Sequence, residues 1–263
     1  MNLGLDGKVA LVAASSRGLG RAVAEELADN GAKLVLCARN DQVLKATAQS
    51  IEKKYEAEVL PVAADLAKSE DVDRVVDRAF ERFGSVDVLV TNGGGPPAGR
   101  FEEFTDKDWD DAVEGTLKSV VRLVRRILPG MQERRWGRIV NITSIAVKQP
   151  VNALMLSNSV RSAVTGFART LANEVAESGV TVNNVMPGYT RTERLTELAE
   201  RMASDSGGSV EDAFDKWAEE IPIGRVAETD EFSGLVAFLA SERASYITGQ
   251  SIAIDGGWIR SLL

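Results

Sequence analysis

Short apolar runs alternate along this chain with segments whose apolar residues recur at helical spacing. Residues 8–14 (KVALVAA) read as a buried strand, and residues 18 to about 30 as a helix that stops at Gly31. The alternation predicts further strands at 33–38 (KLVLCA), 58–63, 86–91, 138–143, 181–186 and 251–254. Between them it predicts a helix ending near residue 55 and others over 69–83, 152–177 and 228–240. A long helix is expected from about 106 to 134, interrupted near Pro129-Gly130. Strands that are apolar throughout belong to a parallel sheet covered on both faces by the intervening helices.

No Pro/Gly/Ser-rich linker, composition shift or internal repeat divides the chain, so one α/β domain over residues 1–263 is expected. Residues 193–220 differ in texture: they are polar, carry Ser206-Gly207-Gly208-Ser209, and suggest a mobile helical flap. Hydrophobic residues make up 44% of the 263, ample for a buried core. A formal net charge of −8 argues against nonspecific binding to nucleic acid or an anionic membrane, although local basic groups can still hold an anionic ligand. Cys37 is the single cysteine, which excludes an intrachain disulfide and fits a reducing compartment. The absence of histidine removes His-centred triads and most zinc or iron sites, and no metal is expected. Residues 1–8 contain no basic segment leading into a long apolar run, so no signal peptide is expected, and the cytoplasm is the expected location.

In a doubly wound sheet, ligands bind beyond the carboxyl ends of the strands. The first such end is Ala13-Ala14-Ser15-Ser16-Arg17-Gly18-Leu19-Gly20. Its glycines would let backbone approach a pyrophosphate at a helix N-terminus, although the literal G-x-G-x-x-G spacing is absent. Asp65, Thr91-Asn92-Gly93-Gly94-Gly95, Ser144 and Pro187-Gly188 also fall just after expected strands. Packing alone gives no reason to gather polar residues and glycine at all these ends, so a dinucleotide site is expected. At the end of the second strand, Cys37-Ala38-Arg39 holds no acid for ribose hydroxyls, whereas Arg39 and Arg17 suit a 2′-phosphate. NADP(H) is therefore favoured and NAD(H) stays possible. Asp41 is the competing ribose ligand, though Asn40-Asp41 is more simply a helix start.

As a set, these motifs resemble the short-chain dehydrogenase/reductase family, and particularly its 3-oxoacyl-ACP reductase-like members. The glycine turn resembles the family's T-G-x-x-x-G-x-G, with Ala13 and Ala14 where Thr and the first Gly usually stand. Thr91-Asn92-Gly93-Gly94 resembles N-N-A-G, and Pro187-Gly188 the P-G after the sixth strand. Leu171-Ala172-Asn173-Glu174, Val180-Thr181-Val182-Asn183, and Tyr246-Ile247-Thr248-Gly249-Gln250 through Asp255-Gly256-Gly257 match as well. The resemblance spans essentially the whole chain and implies a Rossmann-type fold of about seven strands. It also implies cofactor contacts from Ala14, Ser16, Arg17, Gly18, Leu19, Gly20, Arg39, Asp65, Leu66, Asn92, Gly93, Gly94, Pro187, Gly188, Thr190 and Thr192. The Ala14 methyl narrows the cofactor approach, and an ordinary backbone conformation is expected there.

The reaction end departs from the family. Its members use a Ser, a Tyr thirteen positions later, a Lys four beyond that, and an Asn on the long helix. Here Ser144 fits, but the other positions hold Ser157, Arg161 and Thr116. A phenol starts near pKa ~10, and a serine hydroxyl is a far poorer acid. Arg161 can supply charge and donors but cannot shuttle a proton, because a guanidinium pKa exceeds ~12. Loss of general acid catalysis removes about 10²–10⁴ in rate, while positioning and hydroxyl donors remain. Ser144 and Ser157 are expected to bind the substrate oxygen with Arg161 beside them, although Ser157 and Arg161 also read as ordinary surface or capping residues. Tyr189 could replace the phenol, but an apolar pocket wall is the plainer reading; Lys148 is more simply a surface lysine. Gly94-Gly95-Pro96-Pro97-Ala98-Gly99 reads as a pocket-lining loop or simply as turn formers.

Two functions remain open at this level. One is an NADP(H)-dependent oxidoreductase of a small carbonyl/alcohol substrate, a 3-oxoacyl thioester being the leading guess by resemblance. The other is a non-catalytic dinucleotide-binding sensor or assembly protein. The resemblance also implies a homotetramer formed through the helices beginning near Asp106 and Asn152, with Trp258, Ile259, Leu262 and Leu263 as contact points.

Overall fold

The computed structural model describes residues 2–262; Met1 at the start of the N-terminal stretch, and Leu263 among the expected contact points, lie outside the described residues. Among the described residues, seven strands form one parallel sheet: β1 (Val9–Ala13), β2 (Lys33–Ala38), β3 (Val59–Ala63), β4 (Val88–Thr91), β5 (Gly137–Ile142), β6 (Val180–Pro187) and β7 (Ser251–Ile254). Their order is β3-β2-β1-β4-β5-β6-β7. The chain builds outward from β1 to β3, then crosses back to β4 on the other side of β1. That reversal opens a crevice above the carboxyl ends of β1 and β4, where this type of sheet takes its ligand.

The strand sequences follow from burial on both faces. Val9, Leu11 and Ala13 pack with α3 (Ser69–Phe83), α5 (Ser119–Glu133) and α6 (Met155–Val175). The alternate residues Ala10 and Val12 pack with α1 (Gly18–Asp29), α2 (Asp41–Tyr55) and α9 (Thr229–Ala240). Neither side of the sheet meets water, so the strands show no polar alternation. One polar row interrupts the first face. Thr91 Oγ1 donates to Asn141 Oδ1 (2.7 Å), Asn141 Nδ2 to Asn184 Oδ1 (3.0 Å), and Asn184 Nδ2 to Ser251 Oγ (3.0 Å). These four residues are successive cross-strand partners in β4, β5, β6 and β7.

The expected long helix breaks in a different place. α4 (Asp106–Ala112) passes into a π-helical stretch at Val113–Lys118, and α5 then runs uninterrupted through Pro129. Burial of Ile127 and Met131 on either side holds that last turn despite the missing Pro129 N–H. Gly115, a poor helix former, lies inside the widened stretch. α6 begins at Met155 rather than 152, because the preceding loop bonds elsewhere: Gly99 N donates to Ala153 O (2.7 Å) and Met155 N to Gly99 O (3.4 Å).

Residues 193–220 form two helices, α7 (Glu193–Ser206) and α8 (Val210–Glu220), separated by Gly207 in the left-handed region (φ 72°). They share a small core of Ala199, Ala213, Phe214 and Trp217, against which Tyr189 and Trp258 pack. Trp258 is therefore engaged within the chain: its ring meets Tyr189 edge-on and its Nε1 donates to Glu220 (3.3 Å). Leu262 is fully exposed. Among the described residues, no helix is long and apolar enough to cross a membrane.

Candidate cofactor and substrate site

β1 delivers the chain into the glycine turn, and here the backbone departs from expectation. Ala14 has φ of 48°, in the left-handed region rather than an ordinary conformation. The turn demands that geometry to bring β1 under α1, so the residue that replaces the family's glycine carries its strain. Gly20 is fixed by contact: a Cβ there would lie 2.3 Å from Ala14 O and 2.9 Å from Asn92 Nδ2. Ser15 N donates to Cys37 O (3.1 Å) and the Ser16 carbonyl accepts from Thr47 Oγ1 (2.9 Å), which pins the turn to β2 and α2. Leu19 turns its side chain toward the core. The first turn of α1 contains no acid, leaving its N–H groups and positive dipole end for an anion.

Gly18 (φ 52°) is approached only by Thr192, whose methyl would stand 3.5 Å from a Cβ there. Thr192 caps α7, accepting from Leu195 N (3.3 Å), so the first turn of α7 overhangs the glycine turn. The overhang is tied down by an ion pair between Arg17 and Glu193 (3.0 Å), both largely exposed. Arg39 is exposed, and among the described residues it has no hydrogen bond or ion pair. Asn40 caps α2 by accepting from Val43 N (3.1 Å), and Asp41 pairs with Lys45 (2.7 Å), so Asn40-Asp41 is a helix start.

After β3, Asp65 Oδ1 accepts from Ala67 N (3.2 Å) and Asp65 N donates to Asp71 Oδ2 (2.7 Å). That N–H, with Arg74, holds the Asp71 carboxyl below the usual carboxylate range. Leu66 packs on the core beneath this loop. Asn92 lies against Gly20, and beside it Gly93 and Gly94 present bare backbone; nothing lies within 4 Å of a Cβ at Gly94. On the β6 side, Pro187 ends the strand, and Gly188 is required because a Cβ would lie 2.7 Å from Asp255 Cα. Thr190 is buried, with Oγ1 donating to Gly188 O (3.4 Å). The expected dinucleotide contacts thus surround the crevice, and its bare glycines and unpaired Arg39 fit a phosphate-bearing ligand.

The reaction-end residues sit at the carboxyl end of β5. Ser144 is extended (φ −167°) and its Oγ accepts from Ala146 N (3.1 Å), starting a short 3₁₀ turn. Ser157 and Arg161 are one turn apart on the same face of α6, buried at 8% and 9% exposure. Neither is the surface residue its type suggests. Ser157's hydroxyl bonds to no protein atom among the described residues. Arg161 Nη1 donates to the carbonyls of Ile142 (3.0 Å) and Thr143 (2.8 Å), which fixes the guanidinium beside Ser144. Burial first, and Arg194 second, push its pKa down to about 10, below the ordinary arginine value yet still cationic at neutral pH. Thr116 comes from the π-helical stretch, and with Arg161, Thr143 and Asn92 it lines a small cavity of about 20 Å³, room for a water.

Tyr189 stacks on Trp217 with ring centroids 5.4 Å apart. Burial and Glu220 raise its phenol, making it a weaker acid, as suits an apolar wall rather than a proton donor. Lys148 is exposed. Among the described residues, no group of Cys, Asp or Glu could hold a metal ion.

Sequence reasoning missed Arg194. Its guanidinium crosses from α7 to the loop after β4, where Nη2 donates to Pro96 O (3.1 Å) and Nη1 would lie 2.8 Å from a Cβ at Gly95. A cation in the first turn of a helix opposes the macrodipole, and that local conflict was a readable signal of a task elsewhere.

The family model described as enoyl-(acyl carrier protein) reductase matches residues 13–259. The 3-oxoacyl-[acyl-carrier-protein] reductase FabG of Aquifex aeolicus is 32% identical over 257 residues, covering 98% of this chain and 99% of that protein. FabG of Escherichia coli is 32% identical over 255 residues, covering 97% and 98%. Among solved structures, L-sorbose reductase from Gluconobacter frateurii, complexed with NADPH and L-sorbose, is similar with a TM-score of 0.96 and 36% identity over the whole of both chains. An actinorhodin polyketide ketoreductase solved with NADPH reaches 0.92 at 34% identity, covering 98% of this chain and 99% of that one.

Proposed function

The chain belongs to the short-chain dehydrogenase/reductase family, and from that premise we propose that it is an NADP(H)-dependent oxidoreductase of a carbonyl/alcohol pair. The observation that carries this reading is the pairing of Ser157's hydroxyl, which bonds to no protein atom among the described residues, with a guanidinium locked one turn away against the end of β5. The Gly18 and Gly20 turn and the N-terminus of α1 would hold the pyrophosphate, and Arg39 with Arg17 the 2′-phosphate. NADPH, when bound, supplies the hydride.

The chain's own residues then act on the substrate oxygen. Ser144 and Ser157 donate hydrogen bonds to it, and Arg161 stabilises the negative charge that develops there. The proton comes from bulk solvent, since neither serine nor guanidinium releases its own near neutral pH. It reaches the alkoxide through a water in the cavity between Thr116 and Arg161, which takes one proton up as it passes one on. The 3-oxoacyl thioesters remain the leading substrates because ketoacyl reductases are among the relatives. α7 and α8 serve as the flap over the substrate, and the protein works in the cytoplasm as a homotetramer.

Titration with NADPH and NADH by fluorescence, followed by absorbance at the NADPH band with 3-oxoacyl thioesters, ketones and polyols, tests this reading. Oxidation of NADPH should fall about a hundredfold in Ser144→Ala. Arg39→Ala should weaken NADPH about tenfold more than NADH; equal weakening removes Arg39 from the phosphate site.

The second reading, a dinucleotide sensor without turnover, is favoured by Tyr189, whose phenol is stacked and weakened rather than offered to a substrate. Tight NADPH binding with no oxidation on any substrate would support it, especially if Ser157→Tyr with Arg161→Lys created activity absent from the parent.

A further inference from the structure

Arg161 and Arg194 reach one place from opposite sides of the crevice. Arg161 is anchored through Nη1, and its Nη2 would lie 3.1 Å from a Cβ at Gly95; Arg194 Nη1 would lie 2.8 Å from the same point. Two guanidinium tips therefore converge on the bare backbone of Gly95. Among the described residues, neither forms an ion pair. Glu197 is the acid that acts on Arg194, and it forms no ion pair with it. Burial lowers the pKa of both guanidiniums, and Arg194 lowers that of Arg161 further. Arg161, buried on α6, thus lacks the counter-charge that a buried guanidinium ordinarily keeps, while Arg194 reaches it from a more exposed position.

We propose that Arg161 and Arg194 form an anion subsite at Gly95 that selects substrates bearing a carboxylate close to the reacting carbonyl. This rests on the oxidoreductase reading and, within its carbonyl/alcohol class, puts oxo acids in place of the 3-oxoacyl thioesters that the relatives alone suggest. Guanidiniums bind carboxylate oxygens with forked, charge-assisted hydrogen bonds, and two converging forks bind a compact anion better than either alone. The position favours the substrate over the cofactor's phosphates. Those have the glycine turn, the α1 N-terminus and Arg39 on the β1–β2 side, whereas Gly95 follows β4, and Arg161 lies on the same helix face as Ser157. Arg194 also sits in the first turn of α7, against the helix dipole, and a bound carboxylate would offset that conflict.

The test is calorimetric binding of 2-oxobutyrate, acetoacetate and levulinate, each beside its methyl ester, to protein with and without saturating NADP+. At least one acid should bind saturably to wild type with NADP+ present, with its ester at least tenfold weaker. Arg194→Gln should weaken that acid at least tenfold and leave NADP+ affinity within twofold. Gly95→Ala should weaken it too, because a Cβ there displaces the guanidiniums. Equal binding of acid and ester, or no saturable acid binding, overturns the proposal. So does loss of acid binding when NADP+ saturates, or an Arg194→Gln variant in which NADP+ and acid weaken together; either outcome would assign the pair to the dinucleotide's phosphates. If wild type binds no NADP+, the oxidoreductase reading fails, and the acid titrations of cofactor-free wild type and Arg194→Gln still decide the subsite.

Discussion

Ala14 carries a methyl group on left-handed backbone, a conformation that costs an L-residue roughly 1–2 kcal/mol. Replacing it with glycine relieves that strain but returns some freedom to the unfolded chain, about 0.4–1 kcal/mol. Ala14→Gly is therefore expected to stabilise the protein by about 0.5–1 kcal/mol in urea unfolding; a loss would show that the methyl makes a compensating contact. Gly20→Ala should do the reverse and abolish NADPH binding, because the atom it strikes first is a backbone oxygen with no rotamer to change. Cys37 is buried at the end of β2, and desolvation pushes its thiol up to about 12. Iodoacetamide at neutral pH should leave the native protein unmodified and its NADPH affinity unchanged, while urea-unfolded chain reacts. The places of Ser157 and Arg161 came from the resemblance, by their spacing from Ser144, whereas the glycine positions were legible because each follows a strand end. The strain at Ala14 was not, since alanine gives no sign of its φ; nor was the meeting of Arg194 with Gly95, which depends on a contact between distant segments.

Elements were easiest to read where burial alone defines them. β1 and β2 are apolar throughout because helices cover both sides, and their expected spans differ from the observed ones by a residue or less at each end. Ends moved where a loop competes for the helix's own hydrogen bonds, as Gly99 does at the start of α6. The π-helical stretch was illegible because it changes which face Thr116 presents without changing the apolar spacing around it. α9 offers an electrostatic test. Arg225 grips Glu231 through both terminal nitrogens (2.7 Å each), and Glu228 N donates to the same carboxylate (2.9 Å). Together they lower the Glu231 pKa to about 2, the Arg225 fork contributing first. A depressed carboxylate pKa stabilises the fold fully above the unfolded value, near 4.5, and that contribution fades as pH falls toward 2. Carboxyl NMR should place the Glu231 midpoint near 2, and Arg225→Gln should return it toward the ordinary glutamate range.

At the scale of the molecule, the loops at one sheet's carboxyl edge carry many of the proposed contacts and the helices packed on it bring the others, so the site depends on the strands keeping their alignment. The row Thr91–Asn141–Asn184–Ser251 lies across four of them, just below the loops that bear Asn92, Ser144 and Gly188. Asn141→Ala would orphan the Thr91 hydroxyl and the Asn184 carbonyl together, and each buried orphan costs about 1–3 kcal/mol. A loss of about 2–4 kcal/mol in urea unfolding is expected, and a change under 1 kcal/mol would show that the row contributes little. Its value extends to the sheets that never form. Sliding β5 by a single position would rotate the Asn141 amide to the opposite face, among aliphatic side chains that offer it no partner. Four otherwise interchangeable greasy strands thereby acquire a built-in proofreading step, in which a misaligned assembly is penalised before any loop is asked to hold a ligand.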